Sequence, residues 1–221
     1  MSTSNKRVVA FIDGSNLFGG IAELLKHGEY FNFNEFLDAI EKEIVIDYVN
    51  FYGTYMRADQ KTTKKTKLLA LAQKEFFDSA KDNKKLSFYS GHFSKTSGKE
   101  KGVDMHIGID MAIGACLSTF DQAVIVTGDA DLLYAVQVVR KFGKHVTVAC
   151  LGSRFPLALV LQANKTIVID LKKHFSTKVQ PKLRIKPQKL ERVITFNPTI
   201  KEVKFALELK DPPASGGHVK K

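Results

Sequence analysis

Cysteine is nearly missing. Cys116 and Cys150 are the only two in 221 residues, and neither sits in a CxxC or Cys/His ligand spacing. That excludes a disulfide framework and a zinc module, and both thiols are expected to be reduced packing residues in apolar surroundings. Long apolar runs are lacking as well. No stretch approaches the roughly 18 residues of a membrane helix. The opening MSTSNKRVVAFIDG has neither the apolar core nor the small-residue cleavage site of a signal peptide. No membrane partner is expected, and the expected compartment is the cytoplasm. Neither GxxxxGK[ST] nor GxGxxG occurs, which removes a P-loop and the usual dinucleotide fingerprint. The six histidines (His27, His92, His106, His145, His174, His218) show no metal spacing. What is present is ordinary for a globular chain, 44% hydrophobic and 26% charged. The length suits one α/β domain with a real core and leaves little room for a second.

The net charge of +11 is unevenly placed. Residues 1–170 hold 21 Lys and Arg against 19 Asp and Glu, whereas residues 171–221 hold 13 against 4. Five of the six prolines (Pro181, Pro187, Pro198, Pro212, Pro213) fall in the same tail. The chain therefore divides into a nearly neutral domain, 1–171, and a basic, proline-punctuated arm, 172–221. Such a distribution suits a polyanionic partner, nucleic acid first. Solubility alone would also explain a basic tail.

Short β-branched runs alternate with longer helical patterns. Strands are expected at Arg7 to Ile12, Asp47 to Met56, Leu86 to Phe93, Ala123 to Thr127, His145 to Leu151 and Thr166 to Leu171. Helices are expected over 15–27, 33–44, 61–81, 103–117, 130–142 and 155–162, with a polar loop at 94–102. In the third, Leu68, Leu69, Leu71, Ala72, Phe76 and Phe77 are expected to be buried. This order predicts a mostly parallel sheet between two layers of helices. Ligands of such sheets bind beyond the carboxyl ends of the strands, where the strand order reverses.

Carboxylates stand at just those places. Asp13 follows the first strand; Asp129 and Asp131 follow AVIVTG; Asp104 opens a helix after KEKGV. Each could be a helix cap. If the first and fourth strands are neighbours, however, Asp13 and Asp129 converge at one crevice. Clustered carboxylates raise one another's pKa unless a cation lies between them. An all-oxygen set suits Mg²⁺ or Mn²⁺, with Asp13, Asp104 and Asp129 as ligands and Asp131 beside them. Metal-assisted phosphodiester hydrolysis needs no protein nucleophile, and the sequence offers none that is convincing. Asn16 can hold a water or a phosphate oxygen, or simply close a turn. Ser15 lies at the same helix start, where N–H groups can meet a phosphate. Thr127 can bond a carboxylate. Asp110 lies roughly 240° around the helix from Asp104, so it faces the site only if Asp104 precedes the helix proper. A haloacid-dehalogenase phosphatase needs an aspartate where Ser15 stands, and a Toprim domain needs a glutamate where Asp13 stands.

FIDGSNLF (11–18), KGVDMHIGIDM (101–111) and VIVTGDADLL (124–133) resemble, in order, the signature segments of NYN domains, in the PIN-like nuclease superfamily and its LabA-like branch. The resemblance spans about residues 6–171. It implies a PIN-like three-layer α/β sandwich and metal-dependent endoribonuclease activity, with Asp13, Asn16, Asp104, Asp129, Asp131 and Asp110 around the site. The chain has Ala130 where the family often has serine and Leu132 where an aromatic is common, so a possible hydroxyl is lost.

An acidic pocket needs positive charge around it to accept RNA. Lys64 and Lys65, near Arg57, Lys61 and Lys67, form one candidate group; Lys99 and Lys101, near Lys95, form another. In the tail, VKFALEL (203–209) alternates at period two and could add an edge strand or fold on RNA. RNA is thus the expected partner, with a second copy of the chain as another candidate. The competing readings are a non-catalytic RNA- or protein-binding regulatory module on the same fold and a small-molecule phosphoesterase.

Overall fold

A computed structural model describes residues 6–25, 29–56, 63–93, 100–169, 178–179 and 193–196. In chain order these form β1 (Val8–Asp13), α1 (Gly14–Ala22), β2 (Glu29–Tyr30), α2 (Phe33–Glu41), β3 (Tyr48–Gly53), α3 (Lys64–Lys81), β4 (Leu86–Ser90), β5 (His92–Phe93), β6 (Glu100–Lys101) and α4 (Val103–Cys116). There follow β7 (Gln122–Val126), a 3₁₀ turn (Ala130–Leu132), α5 (Leu133–Lys141), β8 (His145–Leu151), α6 (Leu157–Val160), β9 (Lys165–Ile169), β10 (Lys178–Val179) and β11 (Val193–Phe196).

The central sheet runs β11-β9-β8-β7-β1-β3-β4. Every pairing in it is parallel except that of β11, which lies antiparallel on the outer edge of β9. The expected neighbours do meet: β1 sits between β3 and β7, with Asp13 opposite Tyr52 on one side and Ile12 opposite Val126 on the other. The chain first builds outward from β1 through β3 to β4, then returns to add β7, β8 and β9. The reversal falls between β1 and β7 and opens a crevice at their carboxyl ends.

Period-two alternation along the inner strands feeds two cores. Ala10, Ile12, Val124 and Val126 face α1, α2 and α3. Phe11, Ala123, Ile125 and Val148 face α4, α5 and α6. The first core is built on aromatics: Phe76 of α3 is fully buried among the rings of Phe18, Phe31, Phe33, Phe51 and Phe77. α2 begins where Asn32 caps it, its side chain accepting from the Asn34 N–H at 2.8 Å.

Gly14, directly after β1, admits no side chain. A Cβ there would fall on the Phe51 ring and within 2.8 Å of the Tyr52 carbonyl oxygen. The ring cannot swing aside, because Phe33, Phe76, Phe77 and Phe88 surround it. Gly14→Ala should therefore cost about 3 kcal/mol, read as a lowered thermal midpoint.

The structure corrects several expectations. The strand expected over 86–93 breaks at Gly91, and β5 turns away to pair antiparallel with β6. A Cβ at residue 91 would crowd Thr54 and Val103, so the close approach at this bend requires glycine. The loop expected at 94–102 thus contains strand at 100–101, while 94–99 lie outside the described residues. The helix expected over 130–142 opens as a 3₁₀ turn because Asp129 caps it. Leu71 is exposed, being about 140° around α3 from Phe76. Cys116 is also exposed, on the outer face of α4, whereas Cys150 is buried in β8 as expected. The arm contributes β11 to the sheet through Val193–Phe196; residues 203–209 lie outside the described set.

Candidate active site

β1 ends on Asp13, and α1 starts at the next residue. The Asp13 side chain caps that helix, accepting from the Asn16 N–H at 2.9 Å. Its second oxygen accepts from the Thr127 hydroxyl at 3.1 Å. Thr127 follows β7, and its oxygen accepts in turn from the Asp129 N–H at 3.0 Å. Asn16 returns the connection, its side-chain oxygen accepting from the Gly128 N–H at 2.9 Å. The ends of β1 and β7 are thereby stitched together through side chains, and Gly128 leaves no space for a Cβ beside Arg154 and Asn16. Asp129 caps the 3₁₀ turn through the Asp131 N–H at 2.9 Å.

α4 forms the facing wall. Gly102 precedes it with φ +89°, a left-handed conformation that favours glycine. This sharp start turns Asp104, in the first turn, toward the strand ends. An open cleft of about 290 Å³ results, lined by Asp13, Ser15, Asn16, Glu100, Lys101, Gly102, Val103, Asp104 and Asp129.

The acids in this cleft destabilise one another's charged forms. Burial pushes the Asp13 carboxyl up to about 7, with further upward pushes from Asp104 and Glu100; the bonds from Asn16 and Thr127 oppose them. Asp104 is exposed as a residue, yet its carboxyl group is raised too. Partial desolvation in the cleft is the main cause, followed by the charges of Asp129, Glu100 and Asp131. Among the described residues no three His, Cys, Asp or Glu side chains form a closed metal-binding group. The carboxylates expected to gather do share one cleft, but as an open set on two walls.

Other residues singled out from the sequence fall in different places. The Ser15 hydroxyl donates to Glu100 at 2.8 Å and accepts from the Thr54 N–H at 3.2 Å, so it tethers β6 to the start of α1. Asp131 is exposed and does not line the cleft, though its charge reaches Asp104. Asp110 does not line it either: it accepts from the Tyr52 hydroxyl at 2.7 Å, as expected for a helix that already includes Asp104. Of the lysines, Lys101 lines the cleft. Lys64 and Lys65 are exposed on α3, and Lys65 borders a separate, mainly apolar cavity with Leu68, Leu69 and Ala72. Lys99, Lys95, Lys61 and Arg57 lie outside the described residues.

Two neighbours escaped the sequence reading. Glu100 is a fourth acid of the cleft, and its only signal was its place in the Lys99–Gly102 approach to Asp104. Arg154, after β8, bonds Glu23 at 2.6 Å and the Asn16 carbonyl oxygen at 3.4 Å, bracing α1 from beneath. Nothing in its local sequence marks it.

Comparison with known proteins bears on this arrangement. The profile described as NYN domain matches residues 7–170. A solved structure of a protein of unknown function from Vibrio parahaemolyticus RIMD 2210633 superposes with a TM-score of 0.57 at 18% identity, covering 77% of this chain and 96% of that one. At that identity the likeness concerns the fold. No curated protein matches the chain. Among the described residues, no helix is long and apolar enough to cross a membrane.

Proposed function

Because the chain belongs to the NYN domain family, whose members are generally nucleases of PIN-like fold, we propose that it is a cytoplasmic, divalent-metal-dependent endoribonuclease. Its signature segments favour the LabA-like branch. The observation that supports this reading most is Asp13, a carboxyl group buried at the switch point with two further acids raising its pKa. Such a set is short of a cation, and its all-oxygen chemistry fits Mg²⁺ or Mn²⁺. Asp13 and Asp129 would hold the ion, with Asp104 on the facing wall. When bound, it supplies Lewis-acid activation of water and neutralises charge developing on the scissile phosphate.

The remaining roles belong to the chain itself. Thr127 orients one oxygen of Asp13, and Asn16 fixes the Gly128 turn that carries Asp129. Lys101 lines the cleft beside Asp104 and is the described cation best placed to meet an RNA phosphate. Ser15 and Glu100 hold β6, and with it Lys101, against the start of α1.

The test is to incubate the chain with labelled single-stranded RNA and DNA of one sequence, with Mn²⁺, Mg²⁺ or EDTA. RNA fragments are expected only with a divalent ion. RNA retained in a gel shift without cleavage under any condition would instead identify a non-catalytic binding module. A second readout needs no turnover. At pH 8, Mg²⁺ at 100-fold excess over its Kd should raise Tm by roughly 5–10 °C. Asp129→Asn should reduce that rise.

A further inference from the structure

α4 is apolar around most of its circumference. Val103, Ile107, Met111 and Ala115 are buried against the sheet and α5. The outer arc carries Met105, Ile109, Ile113 and Leu117, which are 68%, 48%, 52% and 69% exposed. Their spacing of four aligns them in a row about 18 Å long, with Ala112 and the exposed Cys116 beside it. The polar residues bordering this row are tied elsewhere. His106 stacks on Tyr89 at 4.0 Å between ring centres and bonds the Gly102 carbonyl oxygen, while Asp110 holds the Tyr52 hydroxyl. A helix apolar on all sides belongs in an interior, yet here one side faces solvent.

We propose that this arc is a homodimer interface, with α4 packed antiparallel on α4 of a second copy about a two-fold axis level with Met111. The pairing follows from the row itself. It sets Met105 against Leu117 of the other copy and Ile109 against Ile113, so each large side chain meets an apolar one. Each Asp110 then lies level with Ala112 of the other copy. A parallel pairing in register would bring the two Asp110 side chains to the same level.

The row alone supplies much of the area a dimer needs. The four side chains leave roughly 450–500 Å² per copy in water, over half of the about 800 Å² per partner that a stable interface buries. Tyr134 on α5, 69% exposed, can extend the patch. Asp104 projects from the opposite flank of α4, roughly 160° from the centre of the row, so both clefts stay open. The inference does not depend on the nuclease reading.

Sedimentation equilibrium of the full chain at micromolar concentration is expected to give twice the mass of one chain. The Ile109→Lys/Ile113→Lys variant should be monomeric, its Kd for self-association raised at least 100-fold, with an unchanged circular dichroism spectrum. Labelling of Cys116 by a maleimide provides a readout on the unmodified chain, slowing as protein concentration rises. A monomeric wild-type chain, a variant that remains dimeric, or a labelling rate independent of concentration would overturn the proposal.

Discussion

An Asp13→Asn chain is expected to lose RNA cleavage by on the order of 10³-fold or more while becoming more stable at pH 8. The two effects have one cause. Folding buries the Asp13 carboxyl group and raises its pKa from the ordinary 3.8 to about 7. Between those values the folded chain holds a proton that the unfolded chain has released. Stability therefore falls as pH rises from about 4 to 7, and above that range the ionised group opposes folding in full. A three-unit shift corresponds to about 4 kcal/mol at most. Asparagine has no charge to bury. It can still accept from the Asn16 N–H, and its amide can donate to the Thr127 oxygen that Asp13 now accepts from. Urea titrations of both chains at pH 5 and pH 8 check the sign: the variant's advantage should be small at the lower pH and large at the higher one. Retained cleavage by the variant would remove Asp13 from the chemistry; equal stability at pH 8 would show that its charge is already compensated.

Phe76→Ala should give the largest loss of stability, about 3–5 kcal/mol. Its side chain is fully buried and meets five other rings at centroid distances of 5.8–6.2 Å. Those rings come from α1, the segment before α2, α2 itself, β3 and α3, so no single element can shift to fill the space. Set against a typical domain stability of about 5–15 kcal/mol, the loss would leave a marginal fold. Phe142→Ala, at a ring 48% exposed, should stay within about 0.5 kcal/mol. Denaturant midpoints of the two variants decide whether ring packing or residue type sets the cost.

Much of this architecture is legible in the sequence. The run His145–Leu151 marks β8 to the residue, because a short, β-branched run free of Asp, Glu, Lys and Arg between two helical patterns can hardly be anything but an inner strand. Asp13 and Asp129 were visible for the same reason: each is a charge placed where an apolar run stops. Glu100 was hidden because Lys99 and Lys101 on either side of it read as phosphate contacts, and neither an apolar run nor a helix start marks the acid between them. Only the pairing of β5 with β6 and the Ser15 hydroxyl bring it into the cleft. Asn16 was readable as important but not in its role, since its partner, the Gly128 N–H, is 112 residues away. In α4 the helix was plain, but which side it buries was not. A helix with apolar residues on every face carries no periodic signal to choose among them.

β11 gives the basic arm a second consequence. Its four residues cover the free edge of β9, from Ile169 opposite Val193 to Thr166 opposite Phe196. A chain trimmed after residue 171 would bare a row of main-chain donors and acceptors on a β-branched strand, an open template for strand addition by neighbouring molecules. Shortening the protein to its NYN-matching portion would thus remove an aggregation guard along with the positive charge.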